Sequence, residues 1–164
     1  MTSLPTIRLA LVLDAPMIAE MSRDYVEYGL GWSWTAARVL AAVNNQATNV
    51  AVMEATAIAG FGITGFGIMH YGDDSAHLAL LAVRPALQRR GLGTRLLDWL
   101  EQPARVAGIE CIRLEARADN PTAIAFYRRQ GFREAGRITG YYRGTVDAVR
   151  LEKRLDVALH VPPS

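Results

Sequence analysis

Hydrophobic and polar positions change their period several times along this chain, and each change marks an element. Thr6 to Leu11 reads as a first strand, and Asp14-Ala-Pro16 opens a helix, with Asp as N-cap and proline in the first turn, that runs to about Tyr28. Gly29-Leu-Gly31-Trp32-Ser-Trp34 breaks the pattern, and Thr35 caps a second helix through about Asn45. Val50 to Ala57 and Gly62 to Tyr71 have the look of an antiparallel pair of strands. Gly72-Asp73-Asp74-Ser75 supplies turn residues before a further strand, His77 to Val83.

Past Val83 the period lengthens. Leu92, Leu96, Leu97, Leu100, Ala104 and Ala107 recur near helical spacing, so an amphipathic helix is expected up to Gly108, with a kink at Pro103. Glu110 to Arg117 returns to a strand, and Asn120 opens a short helix over Pro121 to Gln130 that Gly131 ends. Arg133 to Arg143 and Val146 to Arg154 form two last strands around Gly144. A meander followed by strand, helix, strand, helix and strand predicts an α/β fold, a mixed central sheet of about seven strands with helices on both faces. Residues 156–164, ending in Pro-Pro-Ser, read as a flexible tail.

Composition narrows the class. A length of 164 residues suits one domain over 1–164, and 51% apolar with 21% charged residues is ordinary for a globular chain. A net charge of +2 gives no basis for binding nucleic acid through bulk electrostatics. With Cys111 alone, no intramolecular disulfide can form, and it reads as core filler in a strand. The opening Met-Thr-Ser-Leu-Pro lacks the basic and apolar regions of a secretion signal, and no apolar run reaches membrane length, so a cytoplasmic protein without a membrane partner is expected, as a monomer or homodimer. His70, His77 and His160 have no metal-ligand spacing, so no metal is expected. There is no Gly-x-Ser-x-Gly elbow of a hydrolase.

The candidate chemistry begins where the strand through Leu81, Ala82 and Val83 breaks into Arg84-Pro-Ala-Leu-Gln88-Arg89-Arg90-Gly91-Leu92-Gly93-Thr94 and then a helix. A helix N-terminus offers unpaired amides and roughly half a positive charge. Gly91 and Gly93 let the backbone turn successive N–H groups to one point, and Arg84, Arg89, Arg90 and Arg95 cluster around it, so the ligand expected is a pyrophosphate. A second glycine pattern, Gly60-Phe-Gly62-Ile-Thr-Gly65, spells a dinucleotide fingerprint but continues as strand where a helix is required; it is read as a glycine-relaxed hairpin.

Gln88, Gly91 and Gly93 fit the acyl-CoA-binding signature Gln/Arg-x-x-Gly-x-Gly/Ala of the GCN5-related N-acetyltransferases, and this segment resembles it. Ile112-Arg-Leu-Glu115-Ala-Arg-Ala-Asp-Asn120-Pro-Thr-Ala-Ile-Ala-Phe-Tyr127 to Phe132 is similar to the second half of that family, and most to the ribosomal-protein N-terminal acetyltransferases. With the tail to Leu155, the two segments cover nearly half of the chain.

Strand alternation places Glu115 opposite Ile112, Leu114 and Ala116, on a polar face with Arg113 and Arg117. The resemblance implies that Glu115 is a general base; the plain alternative is a solvated ion-pair face. It implies further that Tyr127 protonates the departing thiolate of CoA, against the alternative that Tyr127 is core. Asn120 would hydrogen-bond CoA while capping its helix. Leu81, Ala82 and Val83 would offer main-chain groups to the pantetheine arm, and Gln88 to Thr94, with Leu92 among them, would hold the pyrophosphate. Trp32, Trp34, Tyr25 and Tyr28 form an aromatic cluster that either lines an acceptor pocket or plugs the core. Gly140-Tyr141-Tyr142-Arg143 resembles the stretch where tyrosines contact a peptide backbone in the N-terminal acetyltransferases. The expected activity is therefore direct transfer of an acetyl group from acetyl-CoA to a primary amine, a peptide or protein N-terminal α-amine being favoured. A small amine such as an amino acid, polyamine or aminoglycoside is the second reading, and a non-catalytic CoA-binding sensor the third.

Overall fold

The computed structural model describes residues 5–55 and 62–155. Among these lie seven strands: β1 (Thr6–Leu9), β2 (Thr48–Glu54), β3 (Ile63–Tyr71), β4 (Ser75–Val83), β5 (Cys111–Arg117), β6 (Arg133–Tyr142) and β7 (Val146–Arg154). Four helices accompany them: α1 (Ala15–Tyr25), α2 (Ala36–Val43), α3 (Leu92–Val106) and α4 (Pro121–Arg129). Strand order is β1-β2-β3-β4-β5-β7-β6. β4 and β5 pair in parallel, while β1–β2, β2–β3, β5–β7 and β6–β7 are antiparallel, which makes the sheet mixed as expected. Contacts divide the chain into two compact units, Met1–His70 with Ala79–Gln102, and Tyr71–Leu78 with Pro103–Ser164.

In the first unit Ile18, Ala19, Val39, Val52, Phe66 and Ile68 are fully buried. The apolar stripes of α1 and α2 meet the inward positions of β2 and β3 in this core. β1 ends at Leu9, two residues short of the expected span, and Val12–Asp14 form a 3-10 turn. Asp14 stands at the N-cap position of α1 but does not cap it with its side chain. Its carboxylate instead accepts from the Leu11 amide at 2.7 Å and from Arg8 at 2.8 Å, and Arg8 also reaches Glu54 at 2.9 Å. The Arg8 guanidinium holds the Asp14 carboxyl below its ordinary range. Thr35 caps α2 as expected, its Oγ1 accepting from Arg38 N at 3.4 Å.

Helix α1 stops at Tyr25 rather than Tyr28, because the buried Glu27 organises the chain after it. Its carboxylate accepts from Ser22 Oγ at 2.9 Å, Ser33 N at 2.8 Å and Trp34 N at 3.2 Å, and from the Ser33 hydroxyl.

The glycines of β3 have a packing reason. A Cβ on Gly67 would sit 2.6 Å from Leu100 Cδ1 and 3.1 Å from Leu81 Cδ1, and one on Gly65 would sit 2.9 Å from the Ala82 carbonyl oxygen. Only bare backbone lets β3 lie this close to β4 and α3. Gly60 and Phe61 of the rejected fingerprint lie outside the described residues, as do residues 56–57 of the expected second strand and the tail 156–164.

In the second unit, β5 buries Ile112, Leu114 and Ala116 against a core shared with Val149 and Leu151 of β7. Cys111 is half-buried, and burial pushes its thiol up. Pro103 lies inside α3 without ending it, and Gly108, at φ 75°, stops the helix. Asn120 caps α4, its Oδ1 accepting from Ala123 N at 3.1 Å. Gly140 near the end of β6 and Arg143 and Gly144 in the β6–β7 turn are left-handed, and the Gly140 amide donates to Asp147 Oδ1 at 2.9 Å.

Candidate functional site

In the first unit, the loop after β4 is a sequence of fixed torsions. Pro85–Leu87 make a 3-10 turn, and Gln88 is extended. Arg89 and Gly91 then enter the left-handed region at φ 66° and 76°, and α3 opens with the Arg95 amide donating to the Gly91 carbonyl at 3.2 Å. Left-handed residues set next to extended or helical ones turn consecutive amides toward one side, and the first amides of a helix have no acceptor within it. For Gly91 the torsion is free of cost, but for Arg89 it carries about 1–2 kcal/mol of strain. Such strain persists only where the surroundings enforce it.

Side chains then brace the loop. Gln88 Nε2 donates to the Val83 carbonyl at 3.1 Å, tying the turn to the end of β4. Leu92 and Leu87 are buried beneath it, Gly93 and Thr94 are half-buried, and Arg89 and Arg90 are exposed. The expected cluster of four arginines is reduced by the fold. Arg84 donates to the Ile63 carbonyl at 2.7 Å and to the Tyr25 hydroxyl at 3.2 Å, and Arg95 donates to the Pro5 carbonyl at 2.9 Å. Those two hold framework, which leaves Arg89 and Arg90 as the cations carried on the loop surface. Leu81, Ala82 and Val83 run along β4 with Ala82 buried and its neighbours half-buried. The parallel register of β4 with β5 covers Ser75–His77 only.

In the second unit, Glu115 projects from β5 into a group of side chains from two other strands. His77 Nε2, from β4, lies 3.1 Å and 3.3 Å from its two carboxylate oxygens. The Tyr141 hydroxyl, from β6, donates to Oε1 at 3.2 Å, and the Tyr142 hydroxyl donates to the Glu115 main-chain carbonyl at 3.1 Å. The two tyrosine rings pack edge to face, 4.9 Å between centroids. The bond from His77 lowers the Glu115 pKa below the usual carboxylate range, against the opposing effect of burial, so Glu115 is held as an anion. Burial pushes the Tyr142 phenol well up, so it stays a donor.

The polar face of β5 is therefore not a row of ion pairs between neighbours. Arg117 is buried and donates to Asp119 at 2.9 Å and 3.0 Å, and the partner of Glu115 is a histidine 38 positions earlier. Metal-ligand spacing does not single out His77 among the histidines. A usable signal was present: Glu115 and His77 both stand in strands that a mixed sheet can set side by side.

Tyr127 is buried in α4 between the rings of Phe126 and Phe132, at centroid distances of 5.2 Å and 5.6 Å, and burial raises its pKa far above that of a free phenol. Trp34 joins the core of the first unit with Arg38 stacked 3.8 Å over its ring. Trp32 keeps an exposed face while its Nε1 donates to the Ala19 carbonyl at 3.1 Å. Among the described residues no group of three or more His, Cys, Asp and Glu is placed to hold a metal, and no helix is long and apolar enough to cross a membrane.

Known proteins are similar to this chain. A [Ribosomal protein bS18]-alanine N-acetyltransferase of Salmonella typhimurium is 40% identical over 90 residues, a match covering 53% of this chain and 61% of that protein, so the chain spans about three fifths of this relative. The crystal structure of the ribosomal-protein-S18-alanine N-acetyltransferase from Escherichia coli superposes with a TM-score of 0.75 at 27% identity, over 92% of this chain and 93% of that one. Arabidopsis thaliana NAA60, solved in complex with acetyl-CoA, shares the fold at a TM-score of 0.79 and 16% identity, over 93% of this chain and 99% of that one. The model of the acetyltransferase (GNAT) family matches residues 18–132, which include the loop at Gly91, Glu115 and α4, and the chain belongs to that family.

Proposed function

We propose that this protein transfers the acetyl group of acetyl-CoA to a primary amine by direct attack, with a peptide or protein N-terminal α-amine as the favoured acceptor. The observation that carries the reading is Glu115: a carboxylate with 15% of its side chain exposed, kept anionic by His77 and fixed by Tyr141. An α-amine has an ordinary pKa near 8 and is largely protonated at neutral pH, so attack needs a base. Glu115 takes that proton, the amine lone pair forms the new C–N bond at the thioester carbonyl, and the C–S bond breaks.

The nitrogen of the new C–N bond gives up its second proton and the departing thiolate gains one, a transfer that passes through Tyr127, whose raised pKa keeps the phenol protonated before and after the step. Amides from Gln88 through Thr94, at the loop and the start of α3, hold the pyrophosphate, with Arg89 and Arg90 adding charge. β4 offers main-chain groups of Leu81, Ala82 and Val83 to the pantetheine arm, and Asn120 donates from the head of α4. A preorganised amide near the thioester oxygen contributes about 3 kcal/mol, and orientation of amine and thioester contributes about 7–11 kcal/mol where alignment is good. Tyr141 and Tyr142, which bond to Glu115, contact the acceptor. The N-terminal acetyltransferases similar to this chain support a peptide acceptor.

The test is release of free CoA thiol from acetyl-CoA over a panel of peptides with free N-termini, amino acids, polyamines and aminoglycosides. Turnover with the peptides is expected. Turnover restricted to the small amines replaces the peptide acceptor, and cofactor binding without thiol release from any acceptor replaces the enzyme with a sensor.

A further inference from the structure

We infer that His77 is a positioning residue for Glu115, so that the base of this protein is a histidine–glutamate pair and not a lone carboxylate. The inference rests on Glu115 acting as base and adds the group that governs when it can do so. His77 stands in the short stretch where β4 pairs with β5, opposite Arg113 in register. Its Nε2 lies within hydrogen-bond distance of both oxygens of Glu115, at 3.1 Å and 3.3 Å, so the ring addresses the carboxylate as a whole. Its side chain is 35% exposed against 15% for Glu115, so the ring is the more solvent-accessible member of the pair.

These positions give His77 two effects of opposite sign. With a neutral ring that carries its proton on Nε2, the N–H bond fixes the carboxylate without adding charge. With a protonated ring, the same bond becomes an ion pair that stabilises the anion and lowers its affinity for the proton of the amine. Glu115 takes the first proton of the ammonium, the freed electron pair forms the C–N bond as the C–S bond breaks, and the second proton of that nitrogen passes to the thiolate by way of Tyr127. His77 changes only how readily the oxygen accepts. An imidazole ordinarily titrates near 6.5, whereas a lone carboxylate does so near 4.3.

The surrounding charges are few and placed. Arg113 on β5 shares register with His77, and Arg150 on β7 faces Glu115 and favours its anion. Glu152 of β7 stands opposite Arg113, Arg117 is committed to Asp119, and β6 contributes the two phenols, Tyr141 and Tyr142.

The experiment compares kcat against pH for the parent, His77→Gln and His77→Ala with acetyl-CoA and the best peptide from the panel. Gln places an amide N–H near the position of Nε2 but does not titrate. Expected for His77→Gln is an acid limb moved from the imidazole range toward the carboxylate range, with KM for acetyl-CoA unchanged. Expected for His77→Ala is a loss of about tenfold in kcat at neutral pH, which Gln largely restores. An acid limb in His77→Gln superimposable on that of the parent overturns the inference.

A second measurement needs no turnover: the ¹⁵N NMR signals of the His77 ring at one fixed pH in the parent and in Glu115→Gln. Removing the carboxylate is expected to move the Nε2 resonance because its hydrogen-bond partner is lost, and an unmoved resonance overturns the pairing. Full activity in Glu115→Gln removes the base itself and this inference with it. An inactive Glu115→Gln beside an unaltered His77→Gln profile overturns the role of His77 alone.

Discussion

In the loop from Arg84 to Thr94 the groups proposed to bind are main-chain amides fixed by torsions at Arg89 and Gly91, whereas the proposed base Glu115 is surrounded by side chains drawn from β4 and β6. A backbone site tolerates wide variation in side chains but almost none in φ. A side-chain site has the reverse tolerance, since its strands could accept many residues but its proton chemistry accepts few. The loop is suited to an invariant ligand group and the Glu115 cluster to the variable step, which is why substitutions at the two should fail in different observables.

The sharpest separation comes from Glu115→Gln. It keeps size and strand fit but cannot accept a proton, and kcat should fall by about 10²–10⁴ with the dissociation constant of acetyl-CoA unchanged, measured by single-turnover kinetics beside calorimetry. Equal losses in turnover and cofactor affinity would erase the contrast. Gly91→Val attacks from the other side. A β-branched residue at φ 76° is strained whatever the space around it, so acetyl-CoA affinity should weaken by about tenfold, the equivalent of about 1.4 kcal/mol, with the pH profile of turnover unaltered.

A smaller effect is expected from Tyr141→Phe. It removes one hydrogen bond to Glu115 worth about 0.5–1.5 kcal/mol, so kcat should fall a few-fold, and the apparent pKa of the acid limb should rise slightly because an anion-stabilising donor is lost. The weakest signal is in stability. Glu115 has a folded pKa below its unfolded value near 4.3, so its contribution is present above that value and is lost as pH falls through the folded one. Urea denaturation should therefore show Glu115→Gln less stable than the parent at pH 7 and the gap closing toward pH 3. A gap independent of pH would mean that the substitution acts through packing.

The same contrast explains what could be read from the sequence. The loop was legible because its determinants are consecutive: an apolar strand, Gln88, two glycines and a helical period follow one another within about one turn of chain each. Element order, the cap at Thr35 and the stop at Gly131 were legible for the same reason. The partners of Glu115 were not, since His77 and Tyr141 stand 38 and 26 positions away and meet it only through strand pairing. The commitments of Arg84 and Arg95 were hidden likewise: a cluster of arginines in sequence says nothing of the carbonyls at Ile63 and Pro5 that claim two of them. Helix α1 was overextended because the run after Tyr25 contains no breaker until Gly29, and the force that ends it is one buried acid.

That acid, Glu27, sets a narrow rule for the segment it gathers. Its oxygens receive two hydroxyls and two amides, every one a donor, so an amide side chain in its place would turn an NH₂ group toward N–H and O–H groups with nothing to accept it. Aspartate, one methylene shorter, would leave part of the same set out of reach. A stretch whose two glycines and tryptophans suggest looseness is thus a knot tied by a single residue, and its shape can drift in evolution only as far as glutamate at that one place allows.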